Sequence, residues 1–135
     1  MVFDKAAFPP AFPNDCPPFD ACPPDHQVYR LVESVPLRAG DVLSYWQKYP
    51  TRNYSRVLCQ SMGLSVYLKL EDAQQNLDRV GEDTNMKIAS LKLRNSDGLL
   101  KATPSRRLPD SHHTWWVPLD VDAAKLDWVA VEGTE

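Results

Sequence analysis

The sequence predicts a single compact α+β domain: a mixed or mainly antiparallel sheet of about six strands, two to three helices and a proline-rich N-terminal arm. Three observations predict it. Six segments alternate or run apolar over the length of a strand. Helical spacing occurs between some of them, without the strict strand–helix–strand alternation of a parallel doubly wound sheet. A chain of 135 residues with 43% hydrophobic and 24% charged residues has the size and balance of one globular core. The arm is assigned to residues 1–26 and the domain to residues 27–135.

The arm is defined by Phe8 to Pro24 (FPPAFPNDCPPFDACPP), which holds seven of the twelve prolines. Each proline removes a backbone donor and fixes φ, so no helix or sheet interior forms here. Phe8, Phe12 and Phe19 set the segment apart from a solvated linker, which is poor in aromatics. We expect the arm to lie through these rings against the domain or against a partner chain.

QVYRLVE (Gln27–Glu33) then reads as a strand, with Val28, Arg30 and Val32 on one face. Ala39 to Lys48 places Val42, Leu43 and Trp46 at helical spacing and stops before Pro50. Tyr54 to Met62 reads as a second helix, with Gly63 as a left-handed cap. LSVYL (Leu64–Leu68) is a strand. LEDAQQNLDR (Leu70–Arg79) is a helix with Glu71 and Asp72 at its positive end and Leu70, Ala73 and Leu77 on one side. MKIASLKL (Met86–Leu93) and LLKAT (Leu99–Thr103) flank the turn signal NSDG. HTWWV (His113–Val117) and LDWVAV (Leu126–Val131) complete the strands, with a helical turn around Val121 to Lys125.

Charge and composition narrow the function classes. A net charge of −3 argues against generic nucleic-acid binding, which draws on clustered Lys and Arg. The one basic pair, Arg106-Arg107, leaves only a minor reading as a single-stranded nucleic-acid binder that stacks bases on Trp115 or Trp116. No apolar run reaches the roughly 20 residues of a membrane span, and no signal-peptide pattern is present. The expected location is the cytoplasm, with Cys16, Cys22 and Cys59 as reduced thiols. Cys16, Cys22 and His26 do not have zinc-knuckle spacing, so no metal is expected. Cys59, near a helix end, reads as a small core residue rather than a nucleophile.

Two features stand out as candidate sites. His112 to Trp116 packs two histidines and two tryptophans together. On a strand, His113, Trp115 and Val117 share one face while Thr114 and Trp116 share the other. Both indoles are buried, or one face opens into a cleft. Arg30 interrupts an apolar strand on the face that should be buried. A buried guanidinium needs a partner, so it either pairs with an acid such as Glu71 or Asp72 or binds an anion.

VYRLV followed by a helical stretch and then GLSVYLKLEDA (Gly63–Ala73) resembles the front half of ADP-ribosyltransferase-like domains. The resemblance covers about a third of the chain. It implies NAD as cofactor, with Arg30 at the basic position, Ser65 as the strand serine and Tyr67 as a ring near the nicotinamide. The later acidic position has no clear counterpart; Glu132 lacks the family's context. The order CPP…VYRLV…GLSVY…EDA…HHTWW also resembles a family of small stand-alone bacterial proteins.

Two functions follow as expectations. The first is a non-catalytic interaction module of the immunity, antitoxin or adaptor type. It would need no cofactor and would bind a protein partner or a second copy through Phe8, Phe12, Phe19, Trp115 and Trp116. The second is an ADP-ribosyltransferase-like enzyme or a degenerate nucleotide-binding relative. There Arg30 engages a pyrophosphate, Ser65 holds a ribose or amide, and His113 or Glu132 serves acid/base chemistry. Neither calls for a membrane.

Overall fold

The computed structural model describes residues 3–80, 85–106 and 110–132. They build a six-stranded antiparallel sheet with three α-helices, the α+β architecture expected. The strands are β1 (His26–Val32), β2 (Leu64–Tyr67), β3 (Lys87–Leu93), β4 (Leu99–Ala102), β5 (His112–Trp116) and β6 (Val129–Ala130), in the spatial order β4-β5-β2-β1-β3-β6. The helices are α1 (Tyr45–Lys48), α2 (Leu58–Ser61) and α3 (Leu70–Val80). Among the described residues no helix is long and apolar enough to cross a membrane.

Side-chain alternation gives the sheet two buried faces. One carries Val28, Val32, Leu64, Val66, Ala89, Leu91, Leu93 and Trp115, packed against Leu37, Ala123 and Trp128. The other carries Tyr67 and Ile88, with Tyr29 and Leu31, covered by Ala73 and Leu77 of α3. Further along that second face, Trp116 packs with Phe8, Phe12, Cys16 and Met62. The arm therefore completes the face that α3 leaves open.

The arm is an ordered part of the fold. Prolines remove backbone donors, and the Lys5 ammonium donates to three carbonyls of the arm: Phe12 O at 2.8 Å, Pro13 O at 2.6 Å and Cys16 O at 2.9 Å. All three of its donors are thereby used. Cys22 and Leu100 exchange backbone hydrogen bonds in both directions, which covers part of the β4 edge. Leu119 N donates to Ala7 O at 2.8 Å, and a disulfide joins Cys16 to Cys59. This bond corrects the expectation of three reduced thiols; Cys22 alone is free. It also removes Cys16 from the Cys16, Cys22 and His26 set.

Several local expectations change. The helix expected over Ala39 to Lys48 breaks at Leu43, which is extended, because Ser44 caps a new helix by accepting from Gln47 N. A 3-10 turn (Ala39–Val42) precedes the break. Only Leu58–Ser61 of the second expected helix is helical. Gly63 is not left-handed; its value lies in space, since a Cβ there would collide with the Thr114 side chain and meet Trp115 O at 3.1 Å. Among the described residues Gly98 has a positive φ, at 137°, and a Cβ on it would strike Trp116 O.

Candidate functional site

The two central strands barely pair. β1 and β3 run in register over seven residue pairs, from His26↔Leu93 to Val32↔Lys87, whereas β1 and β2 share the single pair Tyr29↔Tyr67. Continuing that register would set Leu31 opposite Ser65. The strands separate instead, and a cleft of about 700 Å³ opens there, lined by Arg30, Ser65 and Tyr67 of the strands and by Arg38, Asp41, Ser44, Tyr45 and Lys48 of the following segment. Asn76 and Arg79 of α3 complete the wall.

Arg30 fills the gap between the strands. Its Nη1 donates to Ser65 O at 2.7 Å and its Nε to Asp41 O at 2.9 Å. These carbonyls orient the guanidinium without neutralising it. Among the described residues it forms no ion pair, so the expected bridge to Glu71 or Asp72 is absent; Asp72 instead accepts Ser111 N at 3.0 Å. Burial pushes Arg30 down to about 10, against the opposing pull of Tyr45 and Asp41, and it remains a cation at neutral pH. Nη2 makes no protein hydrogen bond, and no buried side-chain nitrogen or oxygen among the described residues lacks a partner. Nη2 is therefore not sealed from solvent, and Arg30 lines the cleft.

Asp41 does not compete for that edge. Its carboxylate accepts from Glu33 N at 2.7 Å, Ser34 Oγ at 2.9 Å and Arg38 N at 3.0 Å. Burial alone would raise its pKa, but these donors and the Arg30 charge outweigh that and hold it below 3.8. Arg38 and Lys48 stand exposed at the rim, and the Tyr67 hydroxyl, pushed up to about 12 by burial, stays protonated.

Ser65 lines the cleft, and its Oγ lies 3.0 Å from Nε2 of His112 on β5, the neighbour of β2 on the side away from β1. His112 Nδ1 lies 3.0 Å from Thr103 O and 2.9 Å from Thr103 Oγ1. A carbonyl only accepts, so the Thr103 O contact puts the ring proton on Nδ1 and leaves Nε2 as the acceptor of the Ser65 hydroxyl. Burial holds the His112 pKa below 6.5, which keeps the ring neutral.

The structure thus brings Arg30, Ser65 and Tyr67 to one cleft and leaves the other candidates elsewhere. His113 turns to the opposite face, its Nδ1 on Ser111 O at 2.8 Å. Glu132 is exposed outside the cleft. Trp115 and Trp116 are 0% and 1% exposed, and their indole N–H groups are spent on Asp97 O and Cys59 O, so neither is open to a ligand, base or partner. Phe8 and Phe12 are buried while Phe19 is fully exposed. Arg106 is exposed, and Arg107 lies outside the described residues.

Sequence reasoning missed His112 as a site residue. The signal was the adjacent pair of histidines, but choosing between them requires the register Tyr67↔His112. No protein-family model, curated protein or solved structure matches the chain.

Proposed function

We propose that this chain is a small-molecule binding domain whose ligand carries a phosphate or pyrophosphate, held in the cleft between β1 and β2. The carrying observation is the Arg30 guanidinium, fixed by two backbone carbonyls and lining the cleft without a carboxylate partner. Pre-orientation of this kind lowers the ordering cost of binding, and a guanidinium fork matches phosphate oxygens. Arg38 and Lys48 add positive charge at the rim of a chain that is acidic overall. This supports the nucleotide-binding alternative, with NAD among the ligands to try, ahead of the interaction module.

Calorimetric titration with ADP and with NAD at low ionic strength tests the reading. Saturable binding to the wild type, weakened at least about tenfold (1.4 kcal/mol) in Arg30→Gln, is expected. Equal affinity in the two folded proteins would refute it.

A second reading is favoured by Phe19, fully exposed beside Pro17 and Pro18 on an arm that is clamped in place. A rigid exposed ring is the form a contact residue of an interaction module takes. Sedimentation analysis checks the homo-oligomeric version: self-association abolished by Phe19→Ser supports it, and a wild-type monomer at high concentration contradicts it.

A further inference from the structure

The anion reading leaves the Ser65–His112 contact unused. Here the polarity is set: Thr103 O takes the Nδ1 proton, so Nε2 is a lone pair directed at the Ser65 hydroxyl, 3.0 Å away. A hydroxyl on a neutral imidazole, itself oriented by a third group, is the arrangement that activates serine as a nucleophile. Ser65 is half-buried and lines the cleft, while its own carbonyl accepts from Arg30 Nη1. The nucleophile and the anion anchor are therefore coupled through one residue.

We propose that Ser65 and His112 are a nucleophile and general base that transfer a phosphoryl group from a small phosphate ester anchored by Arg30. Ser65 Oγ forms a bond to phosphorus as its proton passes to His112 Nε2. The bond from phosphorus to the ester oxygen breaks, and His112 returns the proton to the departing alcohol. Water then attacks the phosphoserine, losing a proton to His112; the phosphorus–Oγ bond breaks, His112 returns the proton to Ser65 Oγ, and inorganic phosphate leaves. Arg30 Nη2 carries the charge on the phosphoryl oxygens through both steps. The substrate class rests on the anion-binding reading of the cleft; the nucleophile itself does not.

The test uses diisopropyl fluorophosphate, a neutral phosphorus(V) probe that needs no anion site, on the full chain. Intact-mass and peptide-mapping analysis should find one adduct on Ser65, absent from Ser65→Ala and formed about 100-fold or more slowly in His112→Asn. A folded wild type that is unlabelled at Ser65 overturns the proposal, as does an unchanged rate in His112→Asn. If His112→Asn fails to fold, release of nitrophenol from p-nitrophenyl phosphate decides: turnover in wild type and none in Ser65→Ala supports the proposal, and equal background in both overturns it. Because the probe is uncharged, its failure is separable from loss of ADP binding in Arg30→Gln.

Discussion

The β4–β5 edge and the β1–β2 junction both concentrate polar and aromatic groups, yet they are opposites. At the edge, β4 and β5 pair over four residues from Leu99↔Trp116 to Ala102↔His113, and both indole N–H groups end on carbonyls of the same chain. At the junction one pair is in register and Arg30 takes a carbonyl that a strand N–H would otherwise occupy. Aromatic density thus marks packing, whereas the unpaired strands leave donors in a cleft.

The largest effect should come from the packed side. Trp116→Ala removes a fully buried indole together with its hydrogen bond to Cys59 O, so we expect a loss of about 3–5 kcal/mol in urea unfolding. A loss below about 1 kcal/mol would erase the contrast. Next, Cys16→Ser opens a cross-link spanning 43 residues and should cost about 4 kcal/mol by loop entropy. If reductant leaves the unfolding midpoint of the wild type unchanged, the arm is not clamped as described.

Acidification should weaken the fold in two separate pH ranges, one for each buried group. His112 titrates lower folded than unfolded, so its stability is complete above 6.5 and falls as pH drops from there toward its folded value, the unfolded chain taking the proton first. Asp41 keeps its contribution above 3.8 and loses it as pH falls through its depressed folded value. Denaturation midpoints against pH should show both declines, and His112→Asn should lack the upper one.

On the open side the stability effect is smaller. Arg30→Gln should cost about 1.5–3 kcal/mol, the worth of hydrogen bonding by a charged group, while abolishing most ADP binding. Arg30→Lys should fail to restore that binding, since an ammonium cannot reproduce the fork. Phe19→Ser, at a fully exposed ring, should shift stability by less than about 0.5 kcal/mol.

Much of this was legible in the sequence. Alternation located all six strands, and the charge interrupting VYRLV singled out Arg30. The GLSVY segment placed Ser65 and Tyr67 on a strand, and the sheet order makes that strand the neighbour of β1. What stayed hidden depends on long-range register. Whether His112 or His113 meets Ser65 turns on β2 and β5 pairing as Tyr67↔His112. The Cys16–Cys59 bond arises because the arm folds back over Trp116, which no local pattern records. Helix lengths between Arg38 and Gly63 were overestimated because Ser44 and Gln47 cap a separate turn.

The most direct test of the contrast is a titration of ADP followed by ¹H–¹⁵N correlation spectra. The indole N–H signals of Trp115 and Trp116 report the packed edge, and the Arg30 Nε–H with the Ser65 and Tyr67 amides reports the cleft. We predict saturable shifts at Arg30, Ser65 and Tyr67 with the two indoles unmoved. Shifts confined to the indoles, with Arg30 silent, would contradict the account.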